Sequence, residues 1–518
     1  MHTKTLLGLV ACGLAVVVPV GFDVARSTIA QAADSDTFPD FDGDGNADLV
    51  VTAERETING IPNVGAVTVF YGGDEAPGQH GSFMVFQDAA GVHGVSDQND
   101  FFGRAWDAGD FNGDGHLDLV VGVNERSVKV NGGAIQVFWG SANGLTKQGN
   151  RLIDQDSPGV PDTVEAGDGF GADLAAGDFD GDGDSDLAVA APGERANGVA
   201  GGAVFVFDGA AGSDLVFDRI VRQGLGGIPG QPEADDLFGA GIVAGNFDGG
   251  VYADLAIGAS GEDIGAVTDS GWLVVVEGSA SGLAPGQSTE IRPGLDGVPG
   301  QAEAGATFGA HLGAGELHAD GRDELLVCSG ETTPNPNVSG ALYVLRGSPN
   351  GPTATGGERI TPSSAGIDIG VTSGDLFCYV DDPVIGDIDG NGRGDVVIRV
   401  WRSPFDGGSA VFFGQNASDP LLRKRMMRIT QSTPGVFGVD EPSDGFGSVP
   451  RVLDFDGDGD GDLVLGVPGE DIGATQNTGD IWMHEGPLTT INANDQRRIH
   501  QNSPGIPGVA ETDDYWGR

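Results

Sequence analysis

Short apolar runs of four to eight residues alternate with clusters of Gly, Asp, Asn and Pro along most of the chain. Around residues 151–207 the runs read "RLIDQ", "FGADLAAGDF", "DLAVAAP" and "GGAVFVF". They are rich in Val, Ile, Ala and Phe and bounded by turn formers, which marks short strands. Apolar spacing of the helical kind does not extend over a useful length. The coarse pattern predicts four strands per unit. A first strand follows a Phe-Gly pair, a second follows an acidic loop, a third is flanked by Gly, and a shorter fourth often ends near Gln.

The pattern repeats. The first residue of the acidic loop falls at Asp40, Asp110, Asp178, Asn246, Glu316, Asp387 and Asp454, at intervals of 70, 68, 68, 70, 71 and 67 residues. A second motif runs in step with it, from "GVHGVSDQNDFFG" through "GIPGQPEADDLFG" to "GIPGVAETDDYWG". Self-similarity at a fixed period marks a repeat fold. Seven units of four antiparallel strands predict an all-β, seven-bladed β-propeller, in which closure protects the sheet edges. A β-solenoid needs much shorter rungs, and isolated four-strand modules bury too little apolar surface. The first acidic loop has no Phe-Gly before it, and the last Trp516-Gly517 has no acidic loop after it. The two ends are therefore expected to complete one blade jointly, with a short or discontinuous first strand.

The acidic loop carries the chemistry. In "DFDGDGDSD", Asp178, Asp180, Asp182 and Asp186 stand at positions 1, 3, 5 and 9, with Gly183 at position 6. Crowded carboxylates repel unless a cation joins them. Alternate residues of a tight turn converge on one point, and the backbone at position 7 (Asp184) adds a carbonyl. An all-oxygen donor set selects calcium; magnesium keeps its waters, and zinc wants His or Cys. The loop is not an EF-hand, because Val189 stands where that loop needs Glu. Four further copies obey the rule. They are Asp40/Asp42/Asp44/Asp48 with Asn46 at position 7, and Asp110/Asn112/Asp114/Asp118 with His116. The others are Asp387/Asp389/Asn391/Asp395 with Arg393, and Asp454/Asp456/Asp458/Asp462 with Asp460. Five calcium ions are expected. The loops at 246–254 and 316–324 are degenerate and are expected to persist as turns.

Composition narrows the partners. The 518 residues carry 26 Lys+Arg against 77 Asp+Glu, a formal net charge of -51. Such a chain is repelled by a phosphate backbone, which argues against nucleic acid and against direct contact with an anionic membrane. The N-terminus reads as a signal peptide, residues 1–32: a short basic start, an apolar run from Leu6 to Phe22, and a small-x-small site at Ala30-Gln31-Ala32. The expected product is a secreted or cell-surface chain whose residues 33–518 form a single propeller domain. Only Cys328 and Cys378 follow the signal peptide. One bond or two buried thiols are both open.

Phe170-Gly171, "GDFDGDGDSDL" and "AVAAPGE" together resemble the FG-GAP repeat of the integrin α-subunit N-terminal propeller, and the resemblance extends over residues 34–518. It implies a seven-bladed propeller with calcium in the loops joining the first two strands of a blade, and ligand contacts on the opposite face. Cys378 replaces the Gly of Phe-Gly, and Cys328 replaces the first Gly of a Gly-Ala-Pro-like segment one unit earlier. The resemblance places both near one end of adjacent blades, where they could pair.

The tripeptide "RGD" at 393–395 lies inside an acidic loop, so Asp395 is read as a calcium ligand and not as an adhesion signal. The basic cluster "LLRKRMMRI" is read as a solvated fourth strand. No Gly-x-Ser-x-Gly elbow and no phosphate loop is present. The resulting expectation is a binding or adhesion module for an extracellular protein or glycan, and not an enzyme. The alternatives are a propeller-borne hydrolase or lyase acting on polysaccharide or phospholipid, and a passive cell-surface structural protein.

Overall fold

A computed structural model describes residues 39–517, except 75, 125–130, 197, 213–214, 333–338, 365–366, 368–369, 371–374, 379, 403–406, 415–424, 440, 442 and 509. The signal peptide and residues 421–424 of the basic cluster lie outside the described residues. All regular structure among them is β. The third unit is representative: strands Leu174–Gly177, Asp186–Ala191, Ala203–Asp208 and Val216–Val221 pair antiparallel in chain order. The second, fourth and seventh units form the same four-stranded sheet. The first unit has three strands among the described residues, Leu49–Ala53, Ala66–Phe70 and Ser82–Val85.

The middle strands are buried on both faces because each sheet is sandwiched between neighbours. Side chains in a strand point to alternate faces. In the third unit, Leu187, Val189, Ala191, Ala203, Phe205 and Phe207 join a core shared with the second unit. The interleaved Ala188, Ala190, Val204 and Val206 join a core shared with the fourth. This is why "DLAVAA" is apolar throughout and does not alternate with polar residues. Seven such clusters occur among the described residues, each built from two consecutive units, with the first and seventh counting as neighbours. Sheets stacked side by side in this way are the architecture of a β-propeller.

The Phe-Gly pair staples one unit to the next. Phe170 N donates to Gly132 O of the preceding unit at 2.9 Å, and Gly171 N donates to Ala190 O of its own unit at 2.9 Å. Trp516 N donates likewise to Thr478 O at 3.2 Å in the seventh unit, and Gly517 N to Thr52 O at 3.3 Å in the first. Trp516 packs edge-on against Phe70, ring centroids 6.2 Å apart. A second set of ties joins first strands to first strands. Asp107 Oδ2 accepts Ala176 N at 2.8 Å, Asp173 Oδ2 accepts Ile242 N at 2.9 Å, and Asp381 Oδ2 accepts Val449 N at 3.2 Å.

Two units depart from the common plan. The fifth and sixth merge into one nine-stranded sheet, because Asp375–Phe377 pairs with Asp395–Arg402 and bridges to Ser339. A disulfide between Cys328 and Cys378, with Cα atoms 5.1 Å apart, ties the same two units. Of the two states left open by the sequence, the structure takes the bonded one.

Candidate metal centre

In the second to seventh units the acidic loop leaves the first strand and enters the second, and in the first unit it enters the matching strand Leu49–Ala53, so all seven lie at the same end of their sheets. Gly43, Gly45, Gly181 and Gly183 all adopt positive φ, which lets the chain turn back after each pair of residues. The position-1 carboxylate becomes the hub. Asp40 accepts Gly43 N and Asp44 N on Oδ1 at 2.7 and 3.1 Å, and Gly45 N on Oδ2 at 2.8 Å. Asp178 accepts Gly181 N and Gly183 N at 2.6 and 3.1 Å. Asp42 and Asp44, at positions 3 and 5, accept the amides two residues on, as do Asp180, Asp182, Asp456 and Asp458.

Four loops bring at least three carboxylates together. In each of the groups Asp40/Asp42/Asp48, Asp178/Asp180/Asp186, Asp387/Asp389/Asp395 and Asp454/Asp456/Asp458, one oxygen per residue lies within 4.8 Å of the others. The donors are all carboxylate oxygens, with neither His nor Cys, which suits a hard cation such as calcium.

Several residues expected as ligands stand apart from these groups. The second loop does not assemble three carboxylates. Asp110 is still a hub, accepting Asp114 N and Gly115 N at 3.0 and 2.7 Å. Asn112, however, turns its Nδ2 toward Asp118, 3.2 and 3.1 Å from the two oxygens, so the amide lies where a cation would need an acceptor. Asn391 in the sixth loop also turns its amide toward its neighbours. Its Nδ2 donates to Asp389 Oδ1 and, at 3.1 Å, to Gly414 O, while its backbone N donates to Asp387 Oδ1 at 3.0 Å. An amide can satisfy a neighbouring carboxylate by donating to it, which a carboxylate at the same position cannot do. Asn391 therefore donates to Asp389 of the group Asp387/Asp389/Asp395. Asp44 and Asp182, also at position 5, stand outside their groups, and in the seventh loop it is Asp462 that does so.

Position 9 has a second role that the spacing does not reveal. Asp186 Oδ2 accepts Phe179 N and its Oδ1 accepts Gly209 N, both at 2.9 Å, pinning the start of the loop to the end of the third strand. Asp48, Asp118, Asp395 and Asp462 make the same two bonds. Asp254 holds Gly278 N at 3.0 Å even in the degenerate fourth loop. Burial, reinforced by the neighbouring carboxylates, pushes Asp48 and Asp186 up to about 8. Asp118, Asp395 and Asp462 rise to about 7 for the same reasons. Burial without a neighbouring cation thus favours the protonated form of these groups.

The position-7 side chains point to the neighbouring unit. A Cβ at Gly113 would stand 2.2 Å from Asp184 Oδ1, and one at Gly390 would stand 2.2 Å from Asp460 Oδ1. Asn46 approaches the seventh loop in the same way, with its Oδ1 beside Gly457. Arg393 Nη1 donates to His318 O of the fifth loop at 3.0 Å. His116 donates its backbone N to Asp114 at 3.0 Å and lies outside the assembled groups. Asp395 is fully buried, so the Arg-Gly-Asp tripeptide is structural.

The degenerate loops meet basic side chains instead. In the fifth, His318 Nδ1 lies 2.9 Å from Glu324 Oε1, and Arg346 Nη2 lies 3.1 Å from Asp320 Oδ2. In the fourth, Arg322 Nε donates to Asp248 O at 3.2 Å. The sixth loop is contested. Arg425 donates to Asp389 and stacks over Phe413, its guanidinium carbon 4.0 Å from the ring centroid. Arg425, from the basic cluster, is thus engaged at the loop and not simply solvated; its partner lies 36 residues earlier, beyond any local signal.

The comparisons with known proteins find the same repeat that the loops belong to. The FG-GAP repeat family matches residues 34–70, 102–138, 170–207 and 446–482. The chain carries four FG-GAP repeats. Three of those matches contain an assembled carboxylate group, and the fourth contains the Asn112 loop. The chain is similar to integrin alpha-PS5 of Drosophila melanogaster, 32% identical over 158 residues, which is 30% of this chain and 14% of that one. It is also similar to integrin alpha-5 of Xenopus laevis, 33% identical over 168 residues, 32% of this chain and 15% of that one. The FG-GAP chain therefore spans about one seventh of the integrin chains it matches. The structure of the Dos1 propeller aligns with 87% of this chain and 85% of its own, at a TM-score of 0.37 and 12% identity.

Proposed function

We propose that the chain is an exported, calcium-stabilised, seven-bladed propeller, residues 33–518, that binds a protein or glycan outside the cell. The supporting observation is the recurrence of an all-carboxylate cage at one end of FG-GAP units. Calcium in those cages fixes the loops at one face. Four ions, one in each assembled group, would offset eight of the 51 formal negative charges.

Because each sheet is antiparallel, the second-motif loops, which follow the fourth strands, lie at the opposite end from the cages. Those loops carry exposed apolar side chains, among them Val95, Phe437 and Val439, as a ligand-binding rim requires. Integrin α relatives support adhesion as the class of activity. No helix among the described residues is long and apolar enough to cross a membrane.

The test is binding of the purified chain to glycan and extracellular-protein arrays in millimolar calcium and in EDTA, with polysaccharide cleavage followed alongside. Calcium-dependent capture without turnover supports the proposal. Turnover refutes it, and silence in both conditions favours a structural role.

A further inference from the structure

The fifth acidic loop keeps the scaffold of the others but changes its donors. Its positions 1, 3, 5 and 9 are Glu316, His318, Asp320 and Glu324. Glu316 is the hub, accepting His318 N and Asp320 N on Oε1 at 3.1 and 3.0 Å, and Gly321 N on Oε2 at 2.6 Å. Asp40 accepts the amides of positions 5 and 6 in the same way. Glu324 Oε2 accepts Leu317 N at 2.9 Å, as Asp186 Oδ2 accepts Phe179 N. The first, third and sixth loops use this frame to bring positions 1, 3 and 9 together.

Two departures set the fifth loop apart. In the five loops with aspartate at position 9, both oxygens are taken, the second by an amide at the end of the third strand. Glu324 is fully buried, yet its Oε1 makes no hydrogen bond. At position 3, His318 is 9% exposed and its Nδ1 makes none either. The two atoms stand 2.9 Å apart. An imidazolium that simply replaced the cation would aim its N–H at the oxygen, and this contact is close without being aligned as a hydrogen bond. Two ligands on one zinc ion, each about 2.0–2.2 Å from it, stand about 2.9–3.5 Å apart. The spacing and the missing alignment are those of two donors that face a common third point. Guanidinium groups at the loop are engaged at other atoms: Arg346 holds Asp320 Oδ2 at 3.1 Å, and Arg393 donates to His318 O at 3.0 Å.

We propose that the fifth loop is a zinc site. His318 Nδ1 and Glu324 Oε1 are its first two ligands, the position-1 carboxylate Glu316 is the third, and water completes a tetrahedral shell. An imidazole nitrogen in place of a carboxylate turns the donor set away from calcium, which takes six to eight oxygens, and toward a borderline cation. The site stands whether or not calcium fills the other loops, so one end of the stack carries two metal chemistries.

Titration of the metal-stripped full chain with zinc in millimolar calcium, followed by calorimetry, tests this. One zinc should bind per chain, and cobalt(II) in its place should give a visible absorption band that zinc removes. Loss of an outer-shell partner costs a metal site about 10–100-fold in affinity, so loss of a ligand in His318→Asn should cost at least about 100-fold. Glu324→Gln keeps an acceptor for Leu317 N and should cause the same loss, which covers the case in which His318→Asn does not fold. His80→Ala is the control, because the exposed His80–Asp74 pair, 3.4 Å apart, is another place where zinc could settle; it should leave the titration unchanged. Zinc that survives both loop variants, or that is lost with His80→Ala, overturns the proposal. So does a parent chain that takes up no zinc in millimolar calcium, which would leave His318 and Glu324 as an ion pair.

Discussion

Replacing Asp186 with alanine separates its two roles. The substitution removes the acceptor for two buried amides, Phe179 N and Gly209 N. Leaving a buried donor unsatisfied costs about 1–3 kcal/mol, so Asp186→Ala should lose about 2–6 kcal/mol of unfolding free energy in EDTA. At pH 6 the carboxyl, raised to about 8, is protonated, so little relief of charge offsets that loss. Calcium at 100 times its dissociation constant should then stabilise the parent by about 2.7 kcal/mol per site, and the variant should forgo one such increment. Asp254→Ala is the control. It removes the bond to Gly278 N in a loop where Gly250 stands at position 5, so it should lose about 1–3 kcal/mol in EDTA and nothing further in calcium. Denaturant unfolding with and without calcium measures both quantities. Equal calcium increments for Asp186→Ala and the parent would refute the ligand role. An Asp254→Ala variant as stable as the parent in EDTA would refute the pin.

Three further outcomes follow from the packing. Arg359→Met should destabilise the chain by about 3–5 kcal/mol, because it strands the buried Glu331 and its Tyr343 partner; Tyr343 Oη donates to Glu331 at 2.6 Å, and thermal melting reads the loss. Reduction of the disulfide, which spans 50 residues, should remove about 4 kcal/mol, seen as a lower denaturation midpoint with unchanged binding. A soluble Arg-Gly-Asp peptide should not compete with any ligand captured by the propeller, because Asp395 is buried and Arg393 bonds His318 O; competition in a surface-binding assay would contradict the structural reading of the tripeptide.

The repeat, the strands and the loop spacing were legible because each is local and recurs. The converging carboxylates at positions 1 and 3 follow from a turn within one loop. What escaped the sequence depends on partners far along the chain. Asp186 meets Gly209, 23 residues on, and Asp389 meets Arg425 from the end of the third-to-fourth-strand connection. Asn391 is placed in its loop by position, but the contact of its amide with Gly414, 23 residues on, shows in no loop pattern. Asp184 and Asp460 lie against loops of other units, so no window shorter than a repeat could place them. The fusion of the fifth and sixth sheets escaped for a similar reason. Its extra strand, Asp375–Phe377, lies in a second motif that reads like the other six, and its pairing with Asp395–Arg402 is set by tertiary contact.

The carboxylate ties between first strands bear on how molecules of this kind meet one another. An unpaired strand edge is a template on which another chain can add. Ala176, Ile242 and Val449 already donate their amides to Asp107, Asp173 and Asp381, so the inner edge of the stack has donors that are satisfied in place. The outer edge is guarded differently, by charged side chains such as Asp218, Arg219, Glu290 and Arg497 on the fourth strands. Crowded on a surface, such molecules would therefore touch through loops and faces, where the acidic loops lie, and would resist zipping into continuous sheets.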